Sequence, residues 1–152
     1  MNLTAFRLAG LALPSKTTNA NGQSGTDCGT LWQQFEQGNY AEKITGKLSE
    51  EILAVYHGYE GDHTRPFSYF IGCKVSEDAT IPAGMDSLVI PGGTYRQFLA
   101  KGKMPGCIAD AWGKIWNANI NRAYQYDFET YDERSKDWSD AEVDLFISVT
   151  GR

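Results

Sequence analysis

Apolar side chains recur along this chain in two rhythms, one of two residues and one of three to four. Residues 3–13, rich in Leu, Ala and Phe, read as a strand that runs into the polar loop 17–26. Thr26 or Asp27 can then cap a helix whose Leu31, Trp32 and Phe35 fall on one face, with Gly38-Asn39 as its stop. The β-branched and aromatic runs Ile52–Tyr59 and Tyr69–Val75 predict two antiparallel strands, turned by the loop Glu60–Pro66. A loop containing Pro82, Gly84 and Pro91-Gly-Gly93 leads to a further strand at Thr94–Ala100. Pro105 suits the first turn of a helix, and Ile108, Ala111, Trp112, Ile115 and Trp116 repeat at i, i+3, i+4, i+7 and i+8, the spacing of one buried helix face. A strand is expected at 123–131, and Val143–Val149 closes the chain with clear alternation.

In order these elements read strand, helix, strand, strand, and then the same again. Tyr69–Val75 resembles Leu145–Val149 in texture, and Tyr59-Glu60 before an acidic loop resembles Phe128-Glu129. The self-similarity predicts an α+β fold of duplicated βαββ units, with half-repeats at roughly 1–80 and 90–150 of a single 1–152 domain. The two half-sheets would join about a pseudo-twofold axis, with the helices packed on them.

The stretch Tyr124–Asp132 carries the most chemistry. Alternation places Tyr124, Tyr126, Phe128 and Thr130 on one face and Gln125, Asp127, Glu129 and Tyr131 on the other. On pattern alone the second face is a solvated acidic surface. The alternative is that Glu129 points into a cavity and awaits a cation.

Composition narrows the function classes. A formal charge of −5 and a pI near 5 argue against a duplex-binding surface, which needs clustered Lys and Arg. The same acidic balance favours cationic small ligands over anionic ones. Aromatic residues make up 12% of the chain, a somewhat rich share, so many are expected to line a core or a pocket. Three widely spaced cysteines, Cys28, Cys73 and Cys107, fit a reduced cytoplasm, and no apolar run approaches the ~20 residues that cross a bilayer.

Taken together, Tyr56-His-Gly-Tyr-Glu-Gly-Asp62 with Tyr69-Phe-Ile-Gly72, Gly93-Thr-Tyr-Arg-Gln-Phe98, the helix Ile108–Trp116, and Asp127-Phe-Glu-Thr-Tyr-Asp132 before Glu142–Val149 make the chain resemble the GyrI-like family, the effector-binding domain of AraC-type and MerR-type multidrug regulators. The resemblance spans residues 3–150. It implies two βαββ halves around a central pocket for bulky, amphipathic, often cationic compounds. It also implies that the glutamate of the Phe-Glu-x-Tyr strand, here Glu129, pairs with the ligand charge at the bottom of an aromatic pocket. The sequence departs from the regulators in having no DNA-binding module beside this region, and so resembles the standalone effector-binding proteins, including those carried on mobile gene cassettes.

The walls of such a pocket have named candidates. Trp112 and Trp116 sit four apart on one helix face and can both point at the sheet, as pocket wall or as plain core. Phe70 and Phe146 occupy matching strands of the two halves, where core packing competes with a wall role. Tyr56 offers both a ring and a hydroxyl. Tyr126 is excluded by alternation, and Glu60, taken as the counterpart of Glu129, is expected in solvent at a strand end. His57 and His63 lack a firm metal spacing, Cys107 has no partnering histidine, and neither phosphate-binding glycine motif occurs, so no metal, cofactor or catalytic residue is expected. The leading expectation is a cytoplasmic protein that binds amphipathic cations, without direct nucleic-acid or membrane partners but with a separate regulator or protein partner possible. Two alternatives stay open: a hydrolase of small electrophilic compounds with Glu129 as base, and an inhibitor of a protein partner such as a topoisomerase.

Overall fold

The computed structural model describes residues 1–150. Eight strands form one antiparallel sheet: β1 (Asn2–Leu3), β2 (Phe6–Ala12), β3 (Ile52–His57), β4 (Ser68–Val75), β5 (Asp86–Ile90), β6 (Gly93–Gly102), β7 (Asp127–Tyr131) and β8 (Ala141–Ser148). Helices α1 (Gln23–Gln37), α2 (Tyr40–Lys43) and α3 (Gly106–Trp116) complete the fold. The strand order β1-β6-β8-β7-β3-β4-β2-β5 makes the duplication visible. The unit β2-α1-β3-β4 matches the unit β6-α3-β7-β8, and the halves meet where β3 pairs with β7 in the register Ala54 to Glu129. Each half also lends its leading strand to the other half's edge: β1 pairs with β6, and β5 pairs with β2.

Strand alternation divides the core between two faces. On one face, α1 packs Leu31 and Phe35 against Ala9, Leu11, Ala54, Tyr69, Ile71 and Cys73. On the same face, α3 packs Ala111, Trp112 and Ile115 against Ala100, Val143, Leu145 and Ile147. The opposite face has no helix over it among the described residues and buries Leu8, Leu53, Val55, Phe70, Ile90, Tyr95 and Phe128 on itself. It does so by curling. Phe6 of β2 stands three strands from Phe128 of β7, about 14 Å in a flat sheet, yet their ring centroids are 5.5 Å apart. Tyr95, two strands away on the other side, also reaches Phe128 at 5.5 Å.

The structure corrects several boundaries. The first helix begins at Gln23, behind a left-handed Gly22, so Thr26 and Asp27 lie inside it rather than capping it. Asp27 instead accepts hydrogen bonds from the hydroxyl of Thr17 at 2.6 Å and the amide of Gln23 at 2.9 Å. The strand expected at 123–131 is confined to Asp127–Tyr131, because Tyr124 adopts a left-handed φ of 52° that no strand can include. The loop expected at 76–93 contains β5, an edge strand that inserts Leu88 and Ile90 toward the helix-free face. Glu60 lies beyond the end of β3, exposed and 3.4 Å from Lys16, and is therefore not the counterpart of Glu129 at the junction.

Gly10 and Gly72 face each other across β2 and β4. A methyl group on Gly72 would overlap the carbonyl oxygen of Ala9 and lie 2.8 Å from the Phe70 ring. Gly72→Ala is expected to lower stability by about 1–3 kcal/mol, the usual cost of overpacking, read as an earlier midpoint in urea or thermal denaturation. An unchanged midpoint would show that the pair tolerates separation.

Candidate functional site

Because β7 is flanked by β3 and β8, Ala54 and Leu145 fix the backbone of Glu129 from both sides. Its side chain leaves the sheet on the helix-covered face and is 1% exposed. Three neutral donors meet the carboxylate. The Tyr56 hydroxyl donates to Oε2 at 2.8 Å, the Trp112 indole N–H donates to the same oxygen at 2.6 Å, and the Tyr131 hydroxyl donates to Oε1 at 2.5 Å. Burial pushes the Glu129 pKa above the ordinary glutamate value of 4.5, against the pull of these donors. Burial and the nearby carboxylate likewise hold the Tyr56, Tyr69 and Tyr131 hydroxyls well above the ordinary 10, so they stay protonated as donors.

The rings around the carboxylate come from both halves. Tyr56 packs against Tyr69 at 5.0 Å and Trp112 at 4.9 Å, and Trp32 packs edge-on against Tyr131 at 4.9 Å. The Trp32 N–H is satisfied by the Tyr69 hydroxyl at 2.8 Å. Above this floor lies a cavity of about 1040 Å³ between α1 and α3, lined also by Cys28, Tyr59, Phe67, Met104, Ile108 and Trp116. Over one side His63 stacks on Trp116, with centroids 4.9 Å apart and planes 10° from parallel. The Cys28 thiol is pushed up to about 12 by burial and by Glu129, which leaves it neutral.

Of the residues singled out from sequence, Glu129, Tyr56, Trp112 and Trp116 meet at this cavity. Trp112 is buried, whereas Trp116 is 38% exposed at the rim. Phe70 and Phe146 do not line it. Both belong to the cluster on the helix-free face, where Phe146 stacks on Phe128 at 5.0 Å. The register dictates this: Phe146 is opposite Phe128, so it shares that residue's face and not that of Glu129. Trp32, Tyr69 and Tyr131 were missed as wall residues. Tyr131 follows from alternation with Glu129, and Trp32 from its place on the helix that duplicates α3.

Asp127 corrects a further expectation, since it is wholly buried and not in solvent. Its carboxylate accepts from the Tyr59 hydroxyl at 2.6 Å, the Ser148 backbone N–H at 2.7 Å and Arg122 Nη2 at 2.7 Å. The Arg122 guanidinium lies 4.3 Å from the centroid of the Tyr124 ring. Arg122 thus ties the segment that holds the left-handed Tyr124 to the start of β7. His57 stacks on Tyr126 and His63 on Trp116, and among the described residues no His, Cys, Asp and Glu cluster suits a metal ion. Among those residues no helix is long and apolar enough to cross a membrane.

Comparison with known proteins places this architecture. The fold matches the integron cassette protein VCH_CASS2 from the mobile metagenome of Vibrio cholerae, at 28% identity and a TM-score of 0.74 over 98% of this chain and 93% of that one. It also matches the structure of SAV2435 bound to tetraphenylphosphonium, at 20% identity and a TM-score of 0.78 over 99% and 92% of the two chains. In sequence, a Bacillus subtilis (strain 168) protein named as a candidate transcriptional regulator, YobU, is 24% identical over 123 residues, covering 78% of this chain and 77% of that protein. Residues 2–149 match the family described as integron-associated effector binding protein, Cass2, and the chain belongs to that family.

Proposed function

We propose that the protein binds bulky, amphipathic organic cations in the cavity between α1 and α3, with Glu129 as their charge partner and Trp32, Tyr56, Trp112 and Trp116 as aromatic walls. One observation carries this reading: a fully buried carboxylate faces an aromatic cavity with only neutral donors around it. Among the described residues no Lys, Arg or His stands within ion-pair distance of Glu129. Three hydrogen bonds satisfy its oxygens but leave the charge uncompensated. A ligand cation completes the balance, and the surrounding rings add cation–π attraction without imposing one ligand shape. SAV2435, solved with tetraphenylphosphonium, shares the fold, which is consistent with this reading.

A second reading has its own observation. The Tyr131 hydroxyl lies 2.5 Å from Glu129 Oε1, and a carboxylate of raised pKa beside a phenol is suited to general acid–base work. Turnover of a small electrophilic compound, lost in Glu129→Gln while binding persists, would replace simple binding with hydrolysis.

Titration with tetraphenylphosphonium, followed by quenching of Trp32 and Trp112 fluorescence or by calorimetry, tests the ion pairing. Glu129→Gln is expected to weaken binding about tenfold or more, equivalent to ~1.4 kcal/mol. Equal affinity in the two proteins sinks the mechanism. Wild-type affinity should fall as pH drops through the raised Glu129 pKa, because the protonated form has no charge to offer; in Glu129→Gln it should stay flat.

The same shift predicts a stability difference. A folded-state pKa above the unfolded one favours folding when Glu129 is protonated, and this contribution is lost as pH rises through the folded value. The melting temperature of ligand-free Glu129→Gln minus that of wild type should therefore increase with pH from about 4.5 upward. A difference that is constant with pH would show that Glu129 titrates normally.

A further inference from the structure

The cavity has two electrically different ends. Helix α1 runs along one wall, and Glu36 in its last turn lines an end that also holds Glu50, Glu51 and Glu133. Roughly 16 Å back along the helix, Ser24 and Gly25 of its first turn line the other end. That turn contains no acidic residue, and its N-cap, Gly22, has no side chain to receive the helix amides. The positive end of the helix dipole is therefore uncompensated where it meets the cavity.

Arg122 adds independent donors at that end. Its side chain is 5% exposed and lines the cavity. Nη2 pairs with Asp127 at 2.7 Å, whereas Nε and Nη1 have no hydrogen-bond partner among the described residues. A chain of contacts links the guanidinium to the start of α1. It lies 5.9 Å from the Tyr59 ring centroid, Tyr59 packs on Phe67 at 6.0 Å, and Phe67 exchanges two backbone hydrogen bonds with Thr17, whose hydroxyl donates to Asp27 of α1. Buried donors are almost always paired, so two orphans on one guanidinium call for an acceptor. We propose that this end of the cavity takes a carboxylate, held by Arg122 and the first turn of α1, so that the ligand is a zwitterion, an organic cation with an anionic arm. The proposal rests on Glu129 being the partner of the cation.

Trp112 touches both poles, with its N–H on Glu129 at 2.6 Å and its ring centroid 5.8 Å from the Arg122 guanidinium. A ligand with its cation at Glu129 and an aromatic body against Trp112 therefore directs a carboxylate toward Arg122. The acidic far end disfavours the reverse orientation. Asp127 already neutralises the Arg122 charge, so the attraction is short-ranged and comes from the N–H donors. The rings of Tyr59, Tyr124 and Trp112 cover Nε and Nη1, and one of them must tilt to admit the acceptor. On the α1 side the approach is open, because a Cβ on Gly25 would meet nothing within 4 Å. Neither a close contact nor a left-handed φ requires glycine at that position, whereas a carboxylate approaching the helix amides does.

Calorimetry at neutral pH with two biphenylylmethyl-trimethylammonium compounds, one bearing a 4′-carboxylate and the other a 4′-isopropyl group of similar shape, tests the acceptor site. In wild type the carboxylate compound is expected to bind about tenfold more tightly, although it is the less apolar of the two. Arg122→Lys keeps a cation beside Asp127 but removes Nε and Nη1, and the ratio should fall to unity or below. Should that variant fold poorly, Gly25→Asp decides, because a carboxylate built into the first turn of α1 should abolish the preference. Binding of the carboxylate compound no tighter than that of the isopropyl compound in wild type, or a preference that survives in the folded variant, overturns the proposal. Glu129→Gln separates this failure from that of the underlying reading. If it weakens the isopropyl compound, cation pairing stands whatever the carboxylate does; if it weakens neither compound, the pairing falls and the zwitterion with it.

Discussion

A charged carboxylate taken fully out of water must be met by donors, and the hydrogen bonds to Glu129 reach across the whole architecture to satisfy that need. Trp112 comes from α3, Tyr56 from β3 of the other half, and Tyr131 from the same strand as the carboxylate. The helix of one half is thereby tied to the junction of both. Trp112 is 8% exposed, and its N–H would be an orphan donor in the core without Glu129. The pairing therefore fixes where α3 rests on the sheet as well as where the charge lies.

The cavity itself is a consequence of curvature. The sheet wraps toward the face that carries Phe128, drawing Phe6 and Tyr95 onto one ring from opposite sides. The helices sit on the outer, convex face, each over its own half, so they splay apart above the β3–β7 junction. Two adjacent residues of β7 therefore have opposed roles. Phe128 gathers the inner face, and Glu129 stands at the base of the gap that the gathering opens.

Much of this was legible in the sequence, for reasons that lie in periodicity. The i, i+3, i+4 spacing from Ile108 to Trp116 defines α3 within a residue or two, and strand alternation puts Glu129 and Tyr131 on one face. The repeated strand–helix–strand–strand order survives in the sheet as two matched units. Partners across the sheet were not legible. That Phe146 faces Phe128 is a matter of register between β7 and β8, which alternation within either strand leaves open by one residue. The buried Asp127 escaped for a similar reason. Its partners Tyr59, Arg122 and Ser148 come from separate places in the sequence, and only the fold brings them together. β5 was hidden by its flanking Pro and Gly residues, although Leu88 and Ile90 keep the two-residue period.

Asp127 and Glu129 differ in how their charge is met. They are two residues apart on the same face of the same strand, and both are buried. Asp127 has a fixed cation, Arg122, which neutralises its charge. Glu129 has donors but, among the described residues, no cation, so its geometry is fixed while its charge remains uncompensated. Replacing its hydroxyl and indole donors by a lysine would neutralise the site and, under the proposed reading, remove its attraction for a ligand cation. Leaving it bare would let the side chain relax or take up a proton. Three neutral hydrogen bonds hold the carboxylate rigid and support its ionised form without cancelling its field, which is the condition the proposed cation binding requires.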